Sequence, residues 1–279
     1  MELNKTYFGD CMDLAKEVPD DFIDLLVTSP PYADTLSYGK NVPIFHPDNY
    51  PEWFLTLAHE AARFLKPSGS FILNINDKII KGKRSIYVFD LICRIERETG
   101  LSLHDRYVWA QKNGLPTSGP RRLDDKLEYI LHFCRKQKRK NGDGYKKINE
   151  LFKSNMDDVR EPLSEVTLNR YKTPVGANDL VTEDGVVIPQ RKMVKPNPKG
   201  KVPNTIFSFN NASALRGDEG NKHPAAFHPD LPRWYIKWLT DPGDVVLDPF
   251  MGSGTVAKVC KEMNRNWMGF EINEAYKNL

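Results

Sequence analysis

Asp244-Val245-Val246-Leu247-Asp248-Pro249-Phe250-Met251-Gly252-Ser253-Gly254-Thr255 carries the strongest structural signal in the chain. Its first five residues read as a short buried strand, Pro249 to Thr255 as a turn, and Val256 to Met263 as a helix. Trp267-Met268-Gly269-Phe270-Glu271 then reads as a closing strand. In this order the helix N-terminus offers unpaired N–H groups, and the glycines let the backbone approach a ligand closely. Glu271, ending the next strand, can hold a ribose diol. Gly252, Gly254 and Ala257 also fit the loose dinucleotide pattern G-x-G-x-x-A. The unit reads as a site for an adenosine-type cofactor, with a dinucleotide and S-adenosylmethionine both open. The plainer alternative is a tight turn in an α/β sheet.

The residues before this unit extend the same architecture. Leu231, Trp234, Tyr235, Trp238 and Leu239 mark an amphipathic helix. Near the N-terminus, Phe22 to Val27 is a short apolar run, as expected of a parallel strand buried on both faces. Trp53, Leu57, Ala61, Phe64 and Leu65 recur at helical spacing, and Pro67-Ser68-Gly69 is expected to stop that helix. Ser70 to Ile75 reads as a strand. Ile86, Phe89, Cys93 and Glu96 predict a second helix ending near Gly100. Two more strands follow, the second over Leu127 to Phe133. From Arg135 to about Pro203 the texture changes to a basic, loop-rich stretch with six prolines. The expected organisation is therefore an α/β domain in two parts, 1–134 and 204–279, around an inserted region, 135–203.

Composition limits the function classes. Of 279 residues, 40% are hydrophobic and 28% charged, as in ordinary globular proteins. No apolar run approaches the ~20 residues of a bilayer span. Met1-Glu2-Leu3-Asn4-Lys5 lacks the basic and apolar blocks of a signal peptide. Cys11, Cys93, Cys134 and Cys260 are far apart and form no metal-ligand pair, so neither a zinc finger nor a metal is expected. A reducing cytoplasm is the simplest location. The net charge of +3 hides an asymmetry, because residues 135–203 hold 16 Lys/Arg against 9 Asp/Glu. One basic segment on a mildly acidic body suggests a polyanionic partner, or else a solvated insert.

Thr28-Ser29-Pro30-Pro31-Tyr32 follows the buried strand at 22–27, where ligands of open parallel sheets bind. Two consecutive prolines remove two backbone donors and stiffen the loop. The Ser29 and Pro30 carbonyls and the Ser29 hydroxyl are left to accept, and Tyr32 adds an aromatic face. Such a pocket suits a flat ring with an exocyclic NH₂ group.

Ser-Pro-Pro-Tyr together with Asp-Pro-Phe-x-Gly-Ser-Gly-Thr resembles the amino-methyltransferases of DNA. The likeness spans most of the chain outside the basic insert. Its motif order, catalytic first and cofactor last, is that of the β group. The resemblance implies a Rossmann-like, seven-stranded methyltransferase sheet built from a permuted chain, S-adenosylmethionine as cofactor, and the insert as target recognition region. It places Asp10, beside Cys11, near the cofactor adenine, Glu271 on the ribose and His223 by the methionine end. Asp248, Pro249, Phe250, Gly252, Ser253, Gly254 and Thr255 form the cofactor loop, and Thr28 is counted among the cofactor-binding residues. Asp248 could equally cap the following helix. Family members often continue into a longer helix after the ribose-binding acid. Here Leu279 follows soon after, so a short turn at Ala275-Tyr276 and a more open adenine pocket are expected.

The chemistry implied is a methyl transfer to an exocyclic amine. Such an amine is a poor nucleophile because its lone pair is delocalised. Acceptors at Ser29 and the Pro30 carbonyl can draw it toward sp³ geometry. Alignment of the reactants can supply ~7–11 kcal/mol. A duplex base must first be flipped out, with Tyr32 stacking on it for ~1–3 kcal/mol. On this reading Tyr32→Phe, which keeps the ring, retains much of the activity. Lys78, Lys81, Lys83 and Arg84 form a basic loop for phosphates, or a solvated one. Arg121 and Arg122 could enter a groove, where Arg pairs bidentately with guanine. There is no Pro-Cys pair of the kind C5-methylating enzymes use. Serine ahead of Pro-Pro-Tyr is usual for cytosine N4, with adenine N6 as the alternative. The implied partners are double-stranded DNA and a cognate restriction endonuclease at the same site, with the chain a monomer or homodimer. A nicotinamide oxidoreductase would leave Ser-Pro-Pro-Tyr unexplained. A non-enzymatic DNA-binding module would need only the basic insert. An RNA or protein methyltransferase is a further alternative, the basic insert arguing against a protein substrate.

Overall fold

A computed structural model describes residues 1–33, 45–112, 123–137, 151–172, 180–181, 184, 187–188, 196–208 and 228–278. The first elements are β1 (Lys5–Phe8), α1 (Cys11–Lys16), β2 (Ile23–Thr28), α2 (Tyr50–Phe64) and β3 (Leu65–Ile75). Next come β4 (Ile79–Ile80), β5 (Lys83–Arg84), α3 (Tyr87–Glu98), β6 (Leu101–Ala110) and β7 (Leu127–Arg135). Then follow α4 (Glu165–Lys172), β8 (Leu180–Val181), β9 (Val187–Ile188) and β10 (Ile206–Phe207). The chain closes with α5 (Asp230–Leu239), β11 (Val245–Asp248), α6 (Thr255–Glu262) and β12 (Asn266–Glu271).

Among the described residues, eight strands form one sheet in the order β1-β12-β11-β2-β3-β7-β6-β10. Neighbours pair in parallel except around β7, which runs antiparallel to both β3 and β6. The last two strands of the chain thus lie between its first two, which is the permuted arrangement expected. The expected seven strands are joined by β10, two residues that pair with Val108 and Trp109 of β6. Every residue of β2 is buried, as its apolar run predicts for a strand covered on both faces.

Side chains alternate across the sheet. On one face Leu26, Phe71, Leu73, Leu131, Phe133, Leu247 and Phe270 pack with α1, α2 and α3. On the other, Tyr235 and Trp238 of α5 lie 6.0 and 6.2 Å from the Tyr107 ring, and Trp238 lies 5.6 Å from His132. His132 is fully buried, and burial pushes its pKa well below the usual value, so it serves here as a neutral core residue. Its Nε2 meets Ser70 Oγ at 3.0 Å.

Two sequence expectations change. Pro67-Ser68-Gly69 is not the turn that stops α2, because the chain goes extended at Leu65, which pairs with Ile23. Gly69 is needed there for close approach, since a Cβ would stand 3.0 Å from the carbonyl oxygens of Ile23 and Lys66. In α3 the buried face is Tyr87, Val88, Leu91 and Ile95. Ile86 is only the N-cap, and Phe89 and Cys93 face solvent. The spacing is right, but the face read from it is the outer one.

The chain forms two compact units, Met1–Asn155 with Thr205–Leu279, and Met156–Asn204. Within the second, α4, the antiparallel β8–β9 pair and a bridge between Glu161 and Lys201 are described.

Candidate active site

Because β1, β12, β11 and β2 are successive neighbours, their carboxyl ends bring Asp10, Glu271, the Asp248–Thr255 loop and Thr28–Tyr32 to one edge. In the glycine loop, Gly252 (φ +53°) and Gly254 (φ +83°) hold left-handed conformations that other L-residues adopt at a cost of ~1–2 kcal/mol. Gly254 is the N-cap of α6. A Cβ at Gly254 would meet nothing within 4 Å, so the glycine serves the backbone conformation rather than crowding. Ser253 and Thr255 are part-exposed on this turn, and Pro249 is buried beneath it.

Asp248 does not cap α6. Its Oδ1 accepts from Thr28 Oγ1 at 2.7 Å and from the Phe250 N–H at 3.0 Å. Burial raises its carboxyl to about 7, with those two hydrogen bonds opposing the shift and the Glu271 charge adding to it. Glu271 accepts from the backbone N–H of Gly252 at 2.7 Å and of Asn273 at 2.8 Å, while burial raises its pKa. Ile272 adds a third backbone donor, and the two oxygens together still keep a lone-pair direction for another. Asp10 is exposed and caps α1, its Oδ1 accepting from the Met12 N–H at 2.8 Å. Cys11 is buried, and desolvation pushes its thiol well above the usual range.

The Ser29–Tyr32 loop meets residues that the sequence reading missed. Tyr32 donates its phenolic proton to Glu128 Oε2 at 2.5 Å. Ser29 Oγ lies 3.3 Å from the same Tyr32 oxygen. Asn74 Nδ2, at the end of β3, donates to Glu128 Oε2 at 2.8 Å and to the Tyr32 oxygen at 3.1 Å. Gln111 Nε2, just after β6, donates to Glu128 Oε1 at 2.5 Å. Desolvation raises the Glu128 pKa against the pull of these three donors. Asn74 Oδ1 is buried without a partner among the described residues. In the sequence Glu128 stands between Leu127 and Tyr129, where alternation reads it as a solvent-facing strand residue. Only the pairing of β7 with β3 reveals it.

The basic loop is a hairpin. Lys81 (φ +47°) and Gly82 (φ +79°) form the two-residue turn between β4 and β5. Lys81 and Lys83 are exposed and Lys78 is part-buried. Arg84 is engaged inside the protein, bridging Asp77 and Asp125, the latter at 2.7 Å. His223, Arg121 and Arg122 lie outside the described residues.

One motif-bearing loop thus grips the other through the Thr28–Asp248 bond, and the pair falls inside residues 23–279, which match the family described as DNA methylase. The chain belongs to the DNA methylase family. This bears out the resemblance carried by the two motifs. Type II methyltransferase M.PvuII of Proteus hauseri is 29% identical to this DNA methylase over 287 residues, covering 97% of this chain and 80% of that protein. Type II methyltransferase M.BglII of Bacillus subtilis is 27% identical over 277 residues, covering 99% and 68%. The fold matches the structure titled PvuII DNA methyltransferase (cytosine-N4-specific) with a TM-score of 0.67 at 24% identity, over 99% of this chain and 86% of that one. It also matches that of an M1.HpyAVI–SAM complex, with a TM-score of 0.56 at 20% identity and coverage of 98% and 94%.

Proposed function

We propose that this DNA methylase moves a methyl group from S-adenosylmethionine to the N4 amine of a cytosine flipped out of duplex DNA. The observation that carries the reading is the 2.7 Å Thr28–Asp248 bond, which ties the acceptor loop to the glycine turn in one rigid corner. The residues present fit the cofactor. Glu271 keeps acceptor capacity for a ribose diol, Asp10 stands exposed beside it, and the open space at Gly254 leaves the backbone approachable. The cofactor supplies a methyl group on a sulfonium. The chain supplies alignment, with Ser29 Oγ and the Pro30 carbonyl accepting the two amine N–H bonds and Tyr32 walling the base. Serine rather than aspartate ahead of Pro-Pro-Tyr favours cytosine N4, and the fold neighbour titled cytosine-N4-specific supports it. Adenine N6 is the second reading, because both amines offer the same NH₂ geometry. The same reading makes the chain a cytoplasmic enzyme, paired with a restriction endonuclease at the same site.

Digestion of DNA methylated by the purified protein, with mass spectrometry of the nucleosides, names the base. N4-methylcytosine is expected. N6-methyladenine would move the assignment to the second reading, and an unmodified digest would overturn both. Ser29→Ala should slow single-turnover transfer ~10²–10³-fold, as loss of one transition-state contact typically does, with cofactor affinity unchanged.

A further inference from the structure

Transfer to an amine leaves one proton too many on nitrogen, and the site must take it away. Resting on the reading above, for either base, we propose that Glu128 receives this proton along a path from Ser29 Oγ through the Tyr32 hydroxyl. Tyr32 has a single proton and gives it to Glu128 Oε2 at 2.5 Å. In the 3.3 Å contact with Ser29 its oxygen therefore accepts, and the serine donates. Every donor in the chain points from the amine toward Glu128. The lone pairs of Ser29 Oγ stay open to the amine.

The step balances. The amine nitrogen forms a bond to the methyl carbon as the carbon–sulfur bond breaks, and that bonding pair remains on sulfur. The surplus proton passes from nitrogen to Ser29 Oγ, the serine proton to the Tyr32 oxygen, and the tyrosine proton to Glu128. The carboxylate ends as a neutral carboxylic acid, and serine and tyrosine are restored. The proton must leave Glu128 before the next turnover.

The surroundings suit a carboxylate that changes charge. Three donors, Tyr32 from the catalytic loop, Asn74 from β3 and Gln111 after β6, hold the ionised form in place. Among the described residues, the charge acting on Glu128 is that of Asp125, which raises its pKa and is itself paired with Arg84. Desolvation also raises it, which makes the carboxylate a better proton acceptor. Glu128 acts through Tyr32 and is a positioning residue, not one that touches substrate. The tyrosine hydroxyl thereby gains a role that its ring alone lacks, and the expectation that Tyr32→Phe keeps much of the activity is withdrawn.

Glu128→Gln tests the path, because the amide can still accept from Tyr32 but cannot take up a proton. Single-turnover transfer to duplex DNA is followed across pH, with cofactor affinity measured by calorimetry and base flipping by 2-aminopurine fluorescence. The expected result is a loss of at least tenfold in rate, with cofactor affinity and flipping intact. The wild-type rate should rise with pH through the Glu128 titration, and this acidic limb should vanish in the variant. Tyr32→Phe should lose rate to a similar degree. In cofactor-free protein, an infrared carboxyl band removed by Glu128→Gln should titrate above the ordinary glutamate range. Wild-type rate and pH profile in Glu128→Gln would overturn the path and leave methylation standing. Loss of flipping or of cofactor affinity in that variant would overturn it too, by making Glu128 a binding residue. Absence of any transfer by the wild type would instead overturn the functional reading.

Discussion

Asp248 is where one side chain joins two motifs, and its ionisation reaches the stability of the fold. Its pKa is raised from 3.8 to about 7, first because it is buried. A carboxyl whose folded pKa lies above its unfolded one favours folding in its protonated form. That contribution is fully present below 3.8 and is lost as pH rises through about 7. A shift of this size corresponds to a contribution on the order of 4 kcal/mol. Asp248→Asn keeps an oxygen for Thr28 and Phe250 and cannot ionise. Urea denaturation of cofactor-free protein should therefore show wild type losing stability relative to Asp248→Asn from about pH 4 to about pH 7, with the two curves running parallel above about pH 8. Glu271 titrates in both proteins, and its charge is one of the causes that raise Asp248. Parallel stability curves would mean that Asp248 does not change charge in this range. The sequence showed that Asp248 begins the cofactor loop but not what it holds. Its partner Thr28 is 220 residues away, and only the β11–β2 pairing puts the two together. Glu128 was hidden for the same reason, its partners lying on three other segments.

The elements most legible in the sequence were those governed by local pattern. Strand β2, helix α5 and the β11–turn–α6–β12 unit form where periodicity and glycine placement put them. What escaped was decided by neighbours. The start of β3 follows its pairing with Ile23, and the buried face of α3 follows what the sheet offers it. The glycine turn itself gives the sharpest test of an element. Gly252 is in the left-handed region, and its N–H donates to Glu271 at 2.7 Å. Aspartate tolerates that conformation better than most residues, so Gly252→Asp should fold. It would set a second carboxylate against Glu271 and place a side chain where backbone meets ligand. Calorimetric affinity for S-adenosylmethionine should fall at least tenfold, with the circular dichroism spectrum unchanged. Unaltered affinity would remove the turn from the cofactor site.

Taken as a whole, the molecule's surplus positive charge is more local than the insert boundaries suggest. Residues 135–155 carry 8 Lys/Arg against 2 Asp/Glu, whereas residues 156–204 carry 8 against 7. Of the first group, Arg135 pairs with Asp21, Lys136 with Glu96, and Lys153 with Asp241 and Asp244. Lys138, Arg139, Lys140, Lys146 and Lys147 lie outside the described residues and enter here only as charge. In the compact unit Met156–Asn204, Lys199 meets Asp157 and Lys201 meets Glu161, at 3.1 and 3.0 Å. Each phosphate neutralised by a cation contributes about −0.9 to the slope of log K against log salt. If these five cations supply the phosphate contacts, replacing them by glutamine should flatten that slope by up to about 4.5 units and weaken binding to all sequences alike. Replacing Lys199 and Lys201, whose charges already have carboxylate partners, should change the slope by less than about one unit. Titration of labelled duplexes at several salt concentrations separates the cases. An unchanged slope in the fivefold variant, with a fall in the Lys199 and Lys201 variant, would shift the phosphate contacts into Met156–Asn204. Discrimination between sequences should survive the fivefold change even as affinity drops, because cations on phosphates set how tightly DNA is held and not which bases are read.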